Sequence, residues 1–491
     1  MLSPRSANLL LAAASLGLAT TVVAVGGWYR AVHSGPVAMA DLSAEDRQRL
    51  VEEFFQVTGK AYTPAWYEPR LAYTLKRDAE VEAWNDTFRT NSIGYRAGSP
   101  EKPPGVYRVV FVGDSWTYGM GVRREEAFPA QFERLANEMA KPTRIEAWPL
   151  ALPGYNMLNE LTALELFYDR LKPNAVVLCP TRNDTDSNHA VLPGGFLRRP
   201  TGDFVDVFGH DQALFYFSRF PNSYRARQRW GKAFLEIRKH EEWLGSAGVP
   251  FMLFFVAAWE SPIVHDLVAE AGIEASYVIG PPELNEGRWQ GPPPWGHGTP
   301  EGYALYGRMA YRGLANLVGW PDLPVDATLD SLEAEYHPSL PRGDWRAASD
   351  AVLRDLALRV PTRYRRGGSD PRACASTMDC RTGLIGRRAT FLLRRASGQR
   401  VLAVKVERVA DPTAIYPLEF SVSIPTAHGG ASAVGVLSAE GPSQQEILID
   451  LPDEVEEGAV LDVELRANRV TLGPDVLSLR SMYVVELDQR P

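Results

Sequence analysis

Residues 109–121 read V-V-F-V-G-D-S-W-T-Y-G-M-G and decide the fold. The run 107–112 carries β-branched and aromatic side chains and a single charge, Arg108, which is typical of a strand buried on both faces. The run stops at Gly113, and a segment with helical periodicity soon follows. A strand that ends in a tight turn before a helix places the turn residue, here Ser115, at the carboxyl edge of a parallel sheet, where ligands bind in open α/β folds.

Three interpretations of this turn compete. The glycines at positions 113, 119 and 121 match neither pattern of a phosphate-binding loop, and the turn contains no Lys to reach a phosphate. A hydroxyl beside backbone amides can act as a nucleophile whose oxyanion is held by those amides. The third interpretation is a serine that only caps a helix, and the choice depends on the rest of the chain.

Strand and helix signals alternate after the turn. Strands are expected at residues 107–112, 145–150, 175–179 and 251–256, and helices near residues 128–140, 157–171, 223–245 and 300–317. This alternation predicts an α/β domain, a parallel sheet with helices on both faces, at residues 91–325. The Gly- and Pro-bearing residues 181–221 are expected to form a lid or wall over the site.

The other regions have different patterns. Residues 41–90 are predicted to form a helical and aromatic collar, and residues 326–385 an Arg-rich linker in which Cys374 and Cys380 are close enough to form a disulfide. Seven short strands predict an all-β sandwich at residues 386–491. These strands are expected at residues 389–394, 401–409, 418–424, 433–437, 446–451, 460–467 and 482–487.

The N-terminus and the charge indicate where the protein works. Residues 7–28 form an uncharged Leu-, Ala- and Val-rich segment after Arg5, long enough for a transmembrane helix. We expect a single-pass anchor in the inner membrane with the body in the periplasm, and a cleaved signal with secretion is the alternative. A Cys374–Cys380 disulfide would agree with export. The net charge of −8 argues against a nucleic-acid partner.

Three further loops are expected at the edge that carries Ser115. Gly154 follows the second strand and leaves room for a backbone N–H to approach a substrate. Asn183 follows the third strand and offers a side-chain amide. His297 precedes the last helix, within reach of a serine hydroxyl as a general base. Asp114 is interpreted as an acceptor that stabilises the turn.

These blocks resemble those of the SGNH/GDSL hydrolase superfamily. The block that carries the nucleophile in this superfamily resembles Gly113-Asp114-Ser115 with Thr117 and Gly119. The other three blocks resemble Gly154, Asn183-Asp184 and His297. A segment found before the first block in exported members resembles residues 91–96, N-S-I-G-Y-R. The resemblance covers residues 91–317. It implies a flavodoxin-like parallel sheet sandwiched by helices, catalytic Ser115 and His297, and an oxyanion hole formed by Ser115, Gly154 and Asn183.

One departure concerns the orienting acid. The family usually has an Asp two or three residues before the His, where this chain has Pro294 and Trp295. Glu283 and Glu286 are candidate replacements. A Ser–His dyad, a relocated acid and an inactive site therefore remain as alternatives.

The resemblance implies an extracytoplasmic serine esterase or acyltransferase acting on O-acyl groups of carbohydrate, acetyl groups above all, without cofactor or metal. The alternatives are an inactive glycan- or partner-binding protein on the membrane and a lipid or thioester hydrolase. All 12 Trp lie at or before Trp345, so the sandwich lacks the indole platforms that usually stack on sugars. A structural or partner-docking role is therefore favoured for it over sugar binding.

Overall fold

The computed structural model of the 491-residue chain describes the following positions. They are residues 43, 45, 48, 65–68, 70–84, 86–140, 143–182, 184, 196–198, 204–206, 224–257, 259, 261–281, 284, 287–291, 296–324, 326–336, 345–358, 363–365, 384–385, 388–407, 418–438, 444–467 and 477–486. The predicted anchor at residues 7–28 lies outside this part of the chain. Among the positions just given, no helix is both long and apolar enough to cross a membrane.

The region predicted as a helical and aromatic collar contains two hairpins. Its strands are β1 (Ala65–Glu68), β2 (Ala72–Leu75), β3 (Glu80–Ala83) and β4 (Asp86–Arg89). β1 pairs with β2 and β3 with β4, both antiparallel. The described positions 45 and 48 are helical. Four-residue strands are too short to show a clear alternation of apolar and polar residues, which explains why the sequence did not predict them.

A five-stranded parallel sheet forms the centre of the molecule. In chain order the next strands are β5 (Val106–Gly113), β6 (Arg144–Ala151), β7 (Ala175–Leu178), the separate hairpin β8 (Phe196–Arg198) and β9 (Phe204–Asp206), and then β10 (Phe251–Phe255) and β11 (Ser276–Ile279). The sheet order is β11-β10-β7-β5-β6 with every neighbour parallel. Numbered along the chain, this is the flavodoxin-like order 2-1-3-4-5, which confirms the predicted topology.

Helices cover both faces of this sheet. They are α1 (Ser115–Tyr118), α2 (Phe128–Met139), α3 (Met157–Leu171), α4 (Tyr224–Ser246), α5 (Ser261–Ala271) and α6 (Pro300–Val318). Phe111 on β5 packs with α2 and α6 on one face, whereas Val112 packs with α3, α4 and α5 on the other. The sequence analysis missed α5 and β11, so its four-stranded sheet is corrected to five strands. β11 is a partly exposed edge strand of four residues, which gives a weak sequence signal.

The residues predicted as a linker contain regular structure as well. They include α7 (Ala327–Tyr336), α8 (Trp345–Leu358), β12 (Arg363–Arg365) and β13 (Leu384–Ile385). Both short strands pair with the last strand of the chain, so this region is not merely a solvated connector. Cys374 and Cys380 lie outside the described residues.

Two antiparallel sheets form the C-terminal region. Their strands are β14 (Arg388–Arg394), β15 (Gln399–Glu407), β16 (Leu418–Ile424), β17 (Ala431–Leu437), β18 (Gln444–Asp450), β19 (Val460–Ala467) and β20 (Leu477–Glu486). The orders are β12-β20-β15-β18 and β14-β19-β16-β17. Side chains from both sheets share one buried apolar core, among them Val404 and Phe420. All seven predicted strands are present.

Candidate active site

The serine turn lies at the point where the strand order of the parallel sheet reverses. β5 ends at Gly113, with β6 on one side and β7 on the other. Asp114 Oδ1 accepts a hydrogen bond from the backbone N–H of Trp116 at 2.9 Å and so caps α1. This confirms Asp114 as the acceptor that stabilises the turn. From Phe111 to Met120, every residue except Ser115 is buried, and Ser115 is half-buried, so this side chain is the most accessible of the turn.

Gly113 is required by close packing behind the serine. A Cβ at this position would collide with the side chain of Thr117 and would press on Cys179. The thiol of Cys179 is fully buried, and burial raises its pKa well above its ordinary value. Burial thus disfavours the reactive thiolate form of Cys179.

The second loop follows β6 and passes beside the serine turn. Ala151, the last residue of β6, lies opposite Gly113 in the register of the two strands. The chain then turns, with the N–H of Tyr155 donating to the carbonyl of Leu152 at 3.2 Å. Gly154 has a φ of +87°, a conformation that side-chain-bearing residues rarely adopt. Gly154, the predicted oxyanion donor, therefore lies in a loop that leaves the sheet at the same edge as Ser115.

The third loop is joined to the first by buried polar contacts. The N–H of Cys179 donates to the carbonyl of Val112 at 2.8 Å, which extends the β5–β7 pairing to the sheet edge. The Thr181 hydroxyl then lies between two carboxylate oxygens, Asp114 Oδ2 at 3.0 Å and Asp184 Oδ1 at 2.8 Å. Asn183 belongs to this loop by sequence but lies outside the described residues.

His297 completes the arrangement from the loop before α6. Its Nε2 lies 2.8 Å from Ser115 Oγ, across 182 positions of sequence. A bridge between Gln290 and Gly298 fixes the end of this loop. Thr299 then caps α6 through its hydroxyl, which accepts from the N–H of Gly302 at 3.3 Å.

An indole ring supports the histidine. The ring centroids of Trp116 and His297 lie 5.0 Å apart, with the planes tilted by 40°. Trp116 also meets the rings of Tyr303 and Tyr306 edge-on, each at 6.3 Å. Because Trp116 directly follows Ser115 while both tyrosines belong to the helix after His297, these rings join the two halves of the site. Sequence reasoning did not assign Trp116 a function.

A buried carboxyl group lies behind the site. Glu160 on α3 is fully buried, and both its carboxyl oxygens lack a hydrogen-bond partner among the described residues. Burial raises its pKa well above the ordinary value, and the negative charges of Asp184 and Asp114 raise it further. Both effects favour the protonated, uncharged form of the Glu160 carboxyl group. Because a Glu in a helix is common on protein surfaces, no local sequence pattern indicates this buried environment.

The remaining predicted site residues cannot be placed in this geometry. Glu283, Glu286, Pro294 and Trp295 lie outside the described residues, so the orienting acid stays a prediction. In the described part of the chain, no cluster of His, Cys, Asp or Glu side chains is suited to a metal ion. What the structure brings together is Ser115 with His297, at the edge where the three loops after β5, β6 and β7 emerge.

A serine hydroxyl within hydrogen-bond distance of an imidazole, at the edge of a flavodoxin-like sheet, is an arrangement that can serve as a nucleophile and its general base. Solved structures similar to this chain include GDSL/SGNH hydrolases, esterases and acylhydrolases. The psychrotrophic esterase EstA from Pseudoalteromonas sp. is 10% identical with a TM-score of 0.28, over 43% of this chain and 99% of its own. A GDSL-like lipase from Bacteroides thetaiotaomicron is 14% identical with a TM-score of 0.27, over 43% and 88%.

A two-domain esterase active on acetylated mannans, called CEX, matches a longer part of the chain. It is 13% identical with a TM-score of 0.27, over 78% of this chain and 92% of its own. No family model and no curated protein sequence matches the chain. Likenesses at these TM-scores carry no weight alone, so the assignment of the fold rests on the strand order.

Proposed function

We propose that the protein is a serine esterase or acyltransferase of the SGNH type that acts on O-acyl groups of carbohydrate, with acetyl as the first candidate. The observation that carries this proposal is the 2.8 Å contact between His297 Nε2 and Ser115 Oγ at the switch point of the sheet. An imidazole nitrogen at this distance can remove the hydroxyl proton as the oxygen attacks an ester.

The direction of the serine hydroxyl supports this role. Ser115 Oγ also lies 3.3 Å from Asp114 Oδ2, but a hydroxyl has only one hydrogen to donate. The same Asp114 oxygen lies within hydrogen-bond distance of the Thr181 hydroxyl, and the shorter contact of Ser115 is with His297. The shorter contact favours a serine hydrogen that points to the imidazole, which would leave an oxygen lone pair for the substrate.

The first half of the reaction forms an acyl-enzyme. Ser115 Oγ bonds to the acyl carbon while its proton moves to His297 Nε2, and the carbonyl π electrons move to the oxygen. The resulting oxyanion accepts hydrogen bonds from the N–H groups of Ser115 and Gly154 and from the side chain of Asn183. Collapse of this intermediate breaks the bond to the sugar oxygen, which takes the proton from His297 and leaves.

The second half releases the acyl group. A water molecule or a second sugar hydroxyl gives its proton to His297 and attacks the acyl carbon. Ser115 Oγ then leaves and takes the proton back from the imidazole. Water as the acceptor gives an esterase, and a sugar hydroxyl gives an acyltransferase.

The proposed location is the periplasmic face of the inner membrane, with residues 7–28 as the anchor; secretion after cleavage of this segment is the alternative. The uncharged stretch and the spacing of Cys374 and Cys380 support export. For the C-terminal sheets we propose a structural or partner-docking role, because Phe420, one of their few aromatic side chains, is buried in their core.

Single substitutions test the proposed pair. Ser115→Ala and His297→Ala are each expected to lower kcat on p-nitrophenyl acetate by at least about 10³-fold. His428→Ala removes an exposed histidine in the loop between β16 and β17 and is expected to keep wild-type activity. Full activity in either site variant would contradict the assignment. An inactive wild type would favour the glycan- or partner-binding alternative, which the Pro294-Trp295 pair in place of the family Asp motivates.

Acetylated mannan oligosaccharides are a suitable first carbohydrate substrate to test, since the two-domain esterase CEX is active on acetylated mannans. Free acetate in the products would identify an esterase. Acetate found on an added unacetylated acceptor by mass spectrometry would identify a transferase.

A further inference from the structure

The peptide group between Pro153 and Gly154 carries the predicted oxyanion donor. It is the middle peptide of a turn with Pro153 at the second position and Gly154, at a φ of +87°, at the third. This is the pattern of a type II turn. Type I and type II turns differ by a half-rotation of the middle peptide, which reverses the direction of its N–H. Because glycine tolerates both forms, Gly154 allows the required direction without enforcing it.

A tyrosine from the N-terminal hairpin holds this peptide group. The Tyr73 hydroxyl donates a hydrogen bond to the carbonyl of Pro153 at 2.8 Å, and Tyr73 is buried. Because a peptide group is planar, a bond that fixes its C=O also fixes its N–H. Rotation of the peptide to the type I form would break the hydrogen bond between the buried Tyr73 hydroxyl and the Pro153 carbonyl, which costs free energy.

We propose that Tyr73 is a positioning residue that aims the Gly154 N–H at the oxyanion. This inference rests on the proposed function. The donor comes from β2, outside the residues 91–317 that resemble the hydrolase superfamily. The N-terminal hairpin would therefore be part of what makes the site competent. A hydrogen bond to the carbonyl also polarises the peptide and strengthens its N–H as a donor.

The hairpin that carries Tyr73 is itself fixed to the second loop and to α3. The Tyr155 hydroxyl donates to the backbone carbonyl of Tyr73 at 2.9 Å, and the two rings meet edge-on at 5.3 Å. The side-chain amide of Asn159 donates to the carbonyl of Leu71 at 3.0 Å. Burial raises the pKa of Tyr73 well above its ordinary value, so the phenol stays protonated and remains a donor. Hydrogen bonds from Tyr155 and from Asn159 on α3 thus fix the position of the hairpin that carries Tyr73.

Tyr95 offers a matched control. Its hydroxyl is buried in the same cluster and lies 3.0 Å from the side-chain hydroxyl of Tyr155, whereas Tyr73 bonds directly to the peptide group between Pro153 and Gly154. Tyr73→Phe and Tyr95→Phe each remove one oxygen from this cluster. A purely structural role would let both variants lose stability while the folded enzyme kept its kcat.

The test measures kcat and KM on p-nitrophenyl acetate, with active sites counted by a fluorophosphonate probe. Tyr73→Phe is expected to lower kcat by about tenfold or more with KM unchanged, since losing one oxyanion donor outright costs about 10²–10³-fold. Tyr95→Phe is expected to stay within about twofold of wild type. In a Gly154→Ala background, Tyr73→Phe is expected to add almost nothing, because both changes act on one N–H.

Equal kcat values in the two Phe variants, or fully additive losses with Gly154→Ala, would overturn the role of Tyr73 while leaving the proposed function intact. A wild type without turnover or labelling at Ser115 would instead overturn the proposed function. If Tyr73→Phe does not fold, the test uses two other variants, in which 4-aminophenylalanine replaces Tyr73 or Tyr95. Its weaker N–H donor is expected to lower kcat several-fold at position 73 only, and equal values at both positions would overturn the inference.

Discussion

The Thr181 hydroxyl lies 3.0 Å from Asp114 Oδ2 and joins the loop after β7 to the turn that presents Ser115. The same hydroxyl lies 2.8 Å from Asp184 Oδ1. One short side chain thus connects two buried carboxylates from different loops. The relative position of these two loops sets the distance between Ser115 and the side chains of the loop after β7.

Thr181→Val is expected to lower the free energy of unfolding by about 1–3 kcal/mol, because it removes a buried hydroxyl that donates to a carboxylate oxygen of Asp114 or Asp184. Urea denaturation measures this loss. Thr117→Val is the matched control, since the Thr117 hydroxyl has no hydrogen-bond partner in the described residues beyond a weak interaction with the Cys179 thiol. Equal losses in the two variants would contradict a specific role for the Thr181–Asp114 contact.

Gly154→Ala is expected to lower kcat on p-nitrophenyl acetate by about 10²–10³-fold, because a side chain disfavours the positive φ that directs the N–H. Gly105→Ala controls for backbone strain alone. Gly105 has a φ of +73°, and a Cβ there would meet no atom within 4 Å. Both variants are expected to lose about 1–2 kcal/mol of stability, and only the first to lose activity. Unchanged turnover in Gly154→Ala would remove this glycine from the oxyanion hole.

Trp116→Leu is expected to lower kcat/KM by about two- to fivefold. The indole ring lies beside the imidazole, and an aromatic face stabilises a cation by about 0.5–1 kcal/mol when the histidine becomes protonated. Trp116→Phe keeps an aromatic ring and is expected to retain most of the activity. If the Leu variant is as active as wild type, the ring contact has no catalytic effect.

Glu160→Gln is expected to become more stable relative to wild type as the pH rises. In the unfolded chain the carboxyl has a pKa of about 4.3. In the fold, burial first and then the charges of Asp184 and Asp114 raise this pKa. The stability associated with the neutral form is therefore complete below about pH 4.3 and is lost as the pH rises through the folded-state pKa.

The measurement is the free energy of unfolding of both proteins from pH 5 to pH 8. The difference is expected to grow by up to about 1.4 kcal/mol per pH unit, because glutamine cannot ionise. Glu138→Gln changes an exposed residue on α2, and its free energy of unfolding is expected to differ from that of wild type by a constant amount over this pH range. A constant difference between Glu160→Gln and wild type would show that Glu160 is already charged in the fold.

Much of the central sheet was predictable from the sequence, because a strand buried on both faces is a continuous apolar run. β5 and β10 match their predicted ranges within about two residues at each end. The partly exposed β11 and the four-residue strands of the N-terminal hairpins lack such a run. Their existence depends on packing against distant parts of the chain, which local patterns do not record.

The candidate site divides in the same way. Ser115 and His297 stand in blocks that are expected at one sheet edge and that resemble, in order, those of the SGNH/GDSL superfamily, so their approach could be expected. Tyr73 meets Pro153 across 80 positions, and Glu160 is buried by elements from elsewhere in the fold. No local pattern distinguishes them from an ordinary strand tyrosine and an ordinary helix glutamate, so only the tertiary structure identifies them.

Labelling of the wild-type protein with a fluorophosphonate serine probe, followed by peptide mapping, tests the central claim most directly. The close pairing of His297 Nε2 with Ser115 Oγ predicts one adduct, on Ser115, that is lost in His297→Ala. An unlabelled Ser115 at neutral pH, or equal labelling in His297→Ala, would contradict a serine nucleophile activated by this histidine.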